Sequence, residues 1–347
     1  AHTYALQGGN GTIRVANAAA TLQLDGVISG AGGYTKTGPG ALVIGASSTF
    51  TGPLFVNEGI LRAGGNIQVS SSTSPVTIGA SGTLDINGTA TSQTMSIGSL
   101  AGSGIVTNAG GSSKTLSVGG NNTSTTFSGI FAGAAGNALT KIGTGVFTVD
   151  GSVTSAWTGA TTLSNGVLRI ASTEPLNAGS SLTVGNAAGT VARLEIAPGA
   201  SQTFGGTTAV AFYGTTATAV TNASIFIGVG GVLTLGGNIT YNGTGCSSAA
   251  LQPAVISGPG TLSLNAARTF TVNNSTAVPA DQAELTIQSP ITSTGAFGFA
   301  KSGLGNLLLT ANNTYSGTTT LNSGTLFLDY STENNSKIGT GALSLLG

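Results

Sequence analysis

Histidine and cysteine are almost missing from this sequence: His2 and Cys246 are the single examples in 347 residues. Two such residues cannot assemble a His/Cys metal site, and one cysteine excludes an internal disulfide. Cys246, set between Gly245 and Ser247, reads as a small buried or loop side chain rather than a reactive thiol. Charge is equally scarce. Charged residues make up 6 % of the chain, against roughly 25 % in ordinary soluble domains, and ten basic residues cancel ten acidic ones. With Lys and Arg spread singly, there is no electrostatic footprint for nucleic-acid phosphates or anionic lipid headgroups, so neither nucleic acid nor membrane insertion is expected. No apolar run approaches the ~18 residues that span a bilayer. The opening Ala1-His2-Thr3-Tyr4 lacks the basic and apolar regions of an export signal, which is expected to be removed or to lie outside this sequence. Helical composition is missing too. The longest stretch free of Gly and Pro, Thr261 to Val278, is rich in Thr, Asn and Val rather than Ala, Leu, Glu and Lys.

What the chain does have is glycine, 57 residues, about twice the usual share of roughly 7 %, together with 39 % apolar residues. That is not a disordered composition, because disorder combines low hydrophobicity with high net charge. Short runs alternate apolar and polar residues: Leu84 and Ile86, Leu116 and Val118, Leu194 and Ile196, Leu233 and Leu235, Leu262 and Leu264. Each reads as a strand with one face buried. Between such runs lie Asn87-Gly88, Asp150-Gly151, Asn165-Gly166 and Gly258-Pro259-Gly260, which favour turns. The uniform texture predicts one continuous repeat domain over 1–347.

One pattern occurs three times, over 36–61, 141–168 and 301–326. Each copy opens Lys-x-Gly-x-Gly at Lys36, Lys141 and Lys301. An apolar pair follows: Leu42 and Ile44, Phe147 and Val149, Leu307 and Leu309. Next comes an aromatic two residues before a glycine, at Phe50, Trp157 and Tyr315. Each copy closes on Gly-x-Leu, at Leu61, Leu168 and Leu326. The distance from Leu42 to Leu61 implies a coil of about twenty residues. Equivalent strands would stack in parallel about 4.8 Å apart, about seventeen coils in all, on the order of 80 Å of solenoid. The six residues Leu42, Leu61, Phe147, Leu168, Leu307 and Leu326 are expected to point inward as ladders. Thr207 to Asn222 and Tyr241 to Gln252 are expected as bulges or loops.

At these residues the chain resembles the autotransporter-associated β-strand repeat, or passenger-associated transport repeat, of secreted bacterial surface proteins. Lys301-Ser302-Gly303-Leu304-Gly305, Asn313-Thr314-Tyr315-Ser316-Gly317 and Gly324-Thr325-Leu326 follow the family pattern most closely. Looser echoes run through Ile97 to Thr107 and Val255 to Leu264. The resemblance implies an all-β, right-handed parallel β-helix exported across a bacterial envelope. The membrane barrel that completes an autotransporter is not expected within this sequence.

Polysaccharide lyases and hydrolases also use β-helices, but paired carboxylates must lie within roughly 5 to 9 Å for acid and base roles. Here Asp25, Glu58, Asp85, Asp150, Glu174, Glu195, Asp281, Glu284, Asp329 and Glu333 are scattered, and only Asp281 with Glu284 and Asp329 with Glu333 are close in sequence. No catalytic, cofactor-binding or metal-binding residue is assigned. The Gly-x-Gly pairs read as corners, since no helix follows to bind phosphate. The recurring lysine reads as a solvated residue at a coil edge, where charge blocks strand pairing. Phe50, Trp157 and Tyr315 read as core, with stacking on a sugar ring as the alternative. Asn242-Gly243-Thr244 matches a glycosylation acceptor by chance composition. The expectation is an extracellular structural stalk or self-assembling fibre subunit, with an adhesin for a surface glycan or cell ligand as the alternative and an enzyme disfavoured. Thr12-Ile13-Arg14-Val15 and Ala342-Leu343-Ser344-Leu345 alternate without a polar cap, so end-to-end self-association is expected.

Overall fold

The computed structural model describes residues 2–87, 93–151, 154–185, 191–213, 223–243, 253–275, 278–331 and 336–346. Two compact units divide the chain, Ala1–Ala160 and Thr161–Gly347. Both are parallel β-helices. Among the described residues there is no α-helix, and strands pair in parallel with the strand one coil later. Parallel neighbours need a crossover, and here the crossover is the rest of the coil itself.

In the first unit, one stack runs through Asn10–Arg14, Gly33–Thr37, the first half of Leu54–Ala63, the first half of Pro75–Asp85, Ser99–Gly102, Thr125–Phe127 and Val146–Val149. A second holds Thr21–Leu24, Ala41–Ile44, the remaining halves of the two long strands, Ile105–Asn108 and Ile130–Gly133. Gln93–Ile97, Lys114–Val118 and Ala138–Lys141 form a third. Period-2 alternation puts one column of each strand inside. Leu42, Leu61, Leu84, Val106 and Phe131 make a continuous inward ladder, each no more than 2 % exposed. Burying each such side chain contributes about 1.5–3 kcal/mol.

The second unit repeats the plan. Gly166–Ile170, Ala192–Ile196, Ala223–Ile227, Ala254–Ser257, Leu285–Ile287, Asn306–Leu309 and Thr325–Leu328 stack in order. Their inward ladder reads Leu168, Leu194, Ile225, Ile256, Ile287, Leu309, Leu328. Ser201–Phe204, Val232–Leu235, Thr261–Leu264 and Ile291–Ser293 form another wall. Thr161–Leu163, Leu182–Val184, Thr208–Phe212, Asn238–Tyr241, Arg268–Val272, Phe299–Ser302, Thr319–Leu321 and Leu343–Leu345 form the third.

Of the six residues expected to face inward, Leu42, Leu61, Phe147, Leu168 and Leu307 are buried, and Leu326 is half-buried. Coil length varies more than the repeats imply. Leu307 pairs with Leu326, nineteen residues on, but Ala192 pairs with Ala223, thirty-one on. The deepest described stack therefore holds seven strands in the first unit and eight in the second, fewer than a uniform twenty-residue turn predicts. The extra length lies between the strands of the wall that contains Thr208–Phe212 and those of the wall that contains Ala223–Ile227: seven, ten, twelve and twelve residues separate them in four successive coils, and three in each of the next two, at 303–305 and 322–324. Of the two stretches expected to be bulges or loops, Thr207 to Asn222 opens instead as the core strand Thr208–Phe212, with a bulge between Thr208 and Val210, and Tyr241 to Gln252 opens on the last residue of the strand Asn238–Tyr241. The reason is that both strands carry alternating apolar residues that the wall buries. Residues 214–222 and 244–252, with Cys246, lie outside the described residues.

Glycine marks the corners for a steric reason. Gly59 and Gly324 have φ of 69° and 71°, and a Cβ on either would sit 2.5 Å from the carbonyl oxygen of Gly38 or Gly303 one coil earlier. No L side chain fits both demands.

Candidate functional site

The lysine that opens each repeat is where sequence and structure part. Lys36, Lys141 and Lys301 are 0, 1 and 0 % exposed, not solvated edge residues. Each lies on an inward position of its strand and turns its ammonium into the following corner. Lys301 Nζ donates to the carbonyls of Ser302 (3.0 Å), Gly303 (2.7 Å) and, a coil later, Ser323 (3.0 Å). Lys36 Nζ donates to Thr37 (2.9 Å), Gly38 (2.7 Å) and Glu58 (3.0 Å). Lys141 reaches Ile142 and Gly143 at 2.6 and 2.7 Å. The left-handed glycines of Lys-x-Gly turn successive carbonyls to one side, and three donors on a flexible stem satisfy them. Hydrogen bonds from a charged donor are worth about 1.5–3 kcal/mol each. Burial pushes the ammonium groups of Lys141 and Lys301 down to about 8, the carboxylate of Glu284 opposing the shift at Lys301. Desolvation lowers Lys36 too, against the pull of Glu58. The sequence signal for this clamp was the fixed Lys-Gly spacing, which a solvated lysine would not need.

The repeat aromatics are core. Phe50 packs on Tyr34 with ring centroids 5.3 Å apart, Trp157 on Phe131 at 5.0 Å, and Tyr315 on Phe299 at 5.6 Å. The polar ends of Trp157 and Tyr315 are also engaged: Trp157 Nε1 donates to Ala132 O at 2.7 Å, and the Tyr315 hydroxyl bonds Thr319 Oγ1 at 2.6 Å.

The acids serve corners and walls. Asp85, buried, pairs with Arg62 at 2.8 Å, and Glu195 with Arg169 at 3.1 Å. Glu58 accepts from Gly38 N. Glu174 accepts from Thr203 N and Oγ1 and from Gln202 Nε2. The sequence neighbours Asp281 and Glu284 diverge: Glu284 is buried and accepts from Ser275 N (3.1 Å) and Asn306 N (2.6 Å), while Asp281 is exposed. Asp329 accepts from Ser331 N, and Glu333 lies outside the described residues. Among the described residues no three His, Cys, Asp or Glu side chains gather.

The surface carries shallow grooves. In the second unit, one of about 610 Å³ follows a corner past Pro259, Pro290 and Asn312. A second, of about 410 Å³, is lined by Pro253, Asp281, Gln282, Ala283, Thr286, Leu308 and Phe327. In the first unit a groove of about 380 Å³ is walled by Ser48, Gln68, Ser70 and Ser96.

Comparison with known proteins agrees with this geometry. Residues 35–63, 139–170 and 299–326 match the passenger-associated-transport-repeat, so the chain carries three such repeats, each containing one clamped lysine. Over 165 residues the chain is 36 % identical to the adhesin BmaC autotransporter of Brucella suis biovar 1 (strain 1330). The matched stretch is 48 % of this chain, which spans only 5 % of the length of that adhesin. No solved structure matches the chain.

Proposed function

We propose that this chain is part of the exported passenger of an autotransporter-type bacterial surface protein, a β-helical stalk whose outer walls adhere to a surface ligand. The observation that carries the reading is the coincidence of three passenger repeats with three clamped corners in parallel β-helices. Likeness to an adhesin over 165 residues favours adhesion over a purely mechanical role. A non-enzymatic passenger is consistent with acids engaged in ion pairs and corner hydrogen bonds.

Antibody labelling of intact cells that produce the protein tests its display at the surface. Beads coated with the purified chain test adhesion: retention on host or bacterial cells is expected, and beads no stickier than uncoated ones would overturn the reading. Turnover of pectin, alginate or another polysaccharide would overturn the non-enzymatic part. End-to-end self-association belongs to the same proposal, and sedimentation as a monomer at high concentration would remove it.

A further inference from the structure

The outer wall of the second unit has a step. The corner 273–284 belongs to a long coil, while the next two coils turn in three residues, 303–305 and 322–324. The long corner therefore stands over strands with nothing comparable above them. Beneath it, Thr286, Leu308 and Phe327 occupy successive register positions on the outward side of their strands. Coils lie about 4.8 Å apart, so these side chains form a line parallel to the coil axis. Leu308 and Phe327 are half-buried rather than covered. Together with Asp281 and Gln282 on the overhang they bound the groove of about 410 Å³.

The overhang is held from below. Asn306 Nδ2 donates to the carbonyls of Ala280 (3.1 Å) and Gln282 (2.7 Å), and buried Glu284 accepts from Asn306 N at 2.6 Å. A turn closes on Pro279, whose carbonyl accepts from Gln282 N at 2.9 Å. Buried polar groups thus fix a segment whose own side chains, Asp281 and Gln282, are exposed. A fixed rim lowers the ordering cost of binding.

From this geometry we infer that the groove beneath Asp281 and Gln282, floored by Leu308 and Phe327, binds a neutral glycan chain lying along the coil axis. The inference rests on the adhesive reading above and gives it a ligand class and a place. Sugar rings present C–H faces that pack on an aromatic or aliphatic floor, while their edges carry hydroxyls that a carboxylate accepts and an amide both donates to and accepts from. Among the described residues no Lys or Arg lines the groove, and Asp281 repels anions, so acidic sugars are disfavoured. An extended peptide would seek a free strand edge, but Leu285–Ile287 and Asn306–Leu309 are paired on both sides. In repeat arrays, insertions at one corner of successive repeats commonly mark the binding face, and Pro253 and Asp281 to Ala283, which precede two successive strands of the same wall, line this groove.

The test uses the full chain on an array of neutral and acidic oligosaccharides, followed by titration calorimetry with the best neutral ligand. Phe327→Ala and Asp281→Asn should each weaken binding at least tenfold with an unchanged melting curve, while Thr240→Ala, on another wall, should bind as the parent does. If the parent binds acidic glycans alone, binds none, or binds neutral glycans equally well after both groove substitutions, the inference is overturned. Adhesion of coated beads, measured in parallel, keeps that failure distinct from failure of the adhesive reading. Beads that adhere without glycan binding overturn only the groove, whereas glycan binding lost in Phe327→Ala supports the groove even if beads do not adhere.

Discussion

Lys301 and Ser323 belong to successive coils, and the ammonium of the first donates to the carbonyl of the second at 3.0 Å. Lys36 and Glu58, also twenty-two residues apart, stand in the same relation at 3.0 Å. One side chain therefore closes its own corner and the next. Replacing Lys301 by Met leaves the Ser302, Gly303 and Ser323 carbonyls without that donor in a buried site. At about 1–3 kcal/mol for an unsatisfied buried group, the variant should lose about 2–5 kcal/mol locally. Hydrogen exchange should speed up in the strands Phe299–Ser302, Asn306–Leu309, Thr319–Leu321 and Thr325–Leu328, and unchanged protection there would refute the clamp.

Titration of the same lysines has a defined sign. Their folded value, about 8 for Lys141 and Lys301, lies below the ordinary 10.5, so between those limits the unfolded chain holds more protons. Desolvation of the charge opposes folding fully below pH 8 and is relieved as pH rises toward 10.5. The urea midpoint of the parent should therefore gain on that of a Lys141→Met, Lys301→Met double variant between pH 7.5 and 9.5. A parent that instead loses ground over that window would show that the carbonyl cage outweighs burial.

Leu61→Ala removes the second rung of the ladder between Leu42 and Leu84, and about 2–5 kcal/mol is expected. Because coils contact their neighbours, the loss of exchange protection should be concentrated in the adjoining coils of the first unit. A uniform loss across that unit would mean it unfolds as one cooperative block.

Two glycines separate backbone strain from crowding. Gly9 has φ of 74° with open space around a Cβ, whereas Gly324 at 71° would place one 2.5 Å from two carbonyls. Gly9→Ala should cost about 1 kcal/mol, and Gly324→Ala clearly more, with a larger fall in melting temperature. Equal shifts would remove the steric account of the Gly-x-Leu corner.

How much of this was legible beforehand differs by residue. Leu42 and Leu61 could be read as one ladder because period-2 alternation and a nineteen-residue spacing leave a solenoid little choice of register. Phe50, Trp157 and Tyr315 were readable as core from their place beside corner glycines. The lysines were not. Composition scales place Lys in water, and nothing local states that three carbonyls from two coils converge on its tip. Coil length in the second unit was also hidden, because corners of seven to twelve residues carry no periodicity that marks where one coil ends.

From the sequence alone came the parallel β-helix class, the three repeat copies, the inward faces and the glycine corners, since each depends on spacing along the chain and on allowed backbone angles. Tertiary structure decided what depends on meetings between residues twenty to thirty positions apart. These are the clamped lysines, the partners of Asp85 and Glu284, and the step that brings Asp281 over Phe327. Stacking supplies that second dimension: a coil lays residue i on residue i + 19 in one place and on i + 31 in another, and the register between them exists only once the corners have folded.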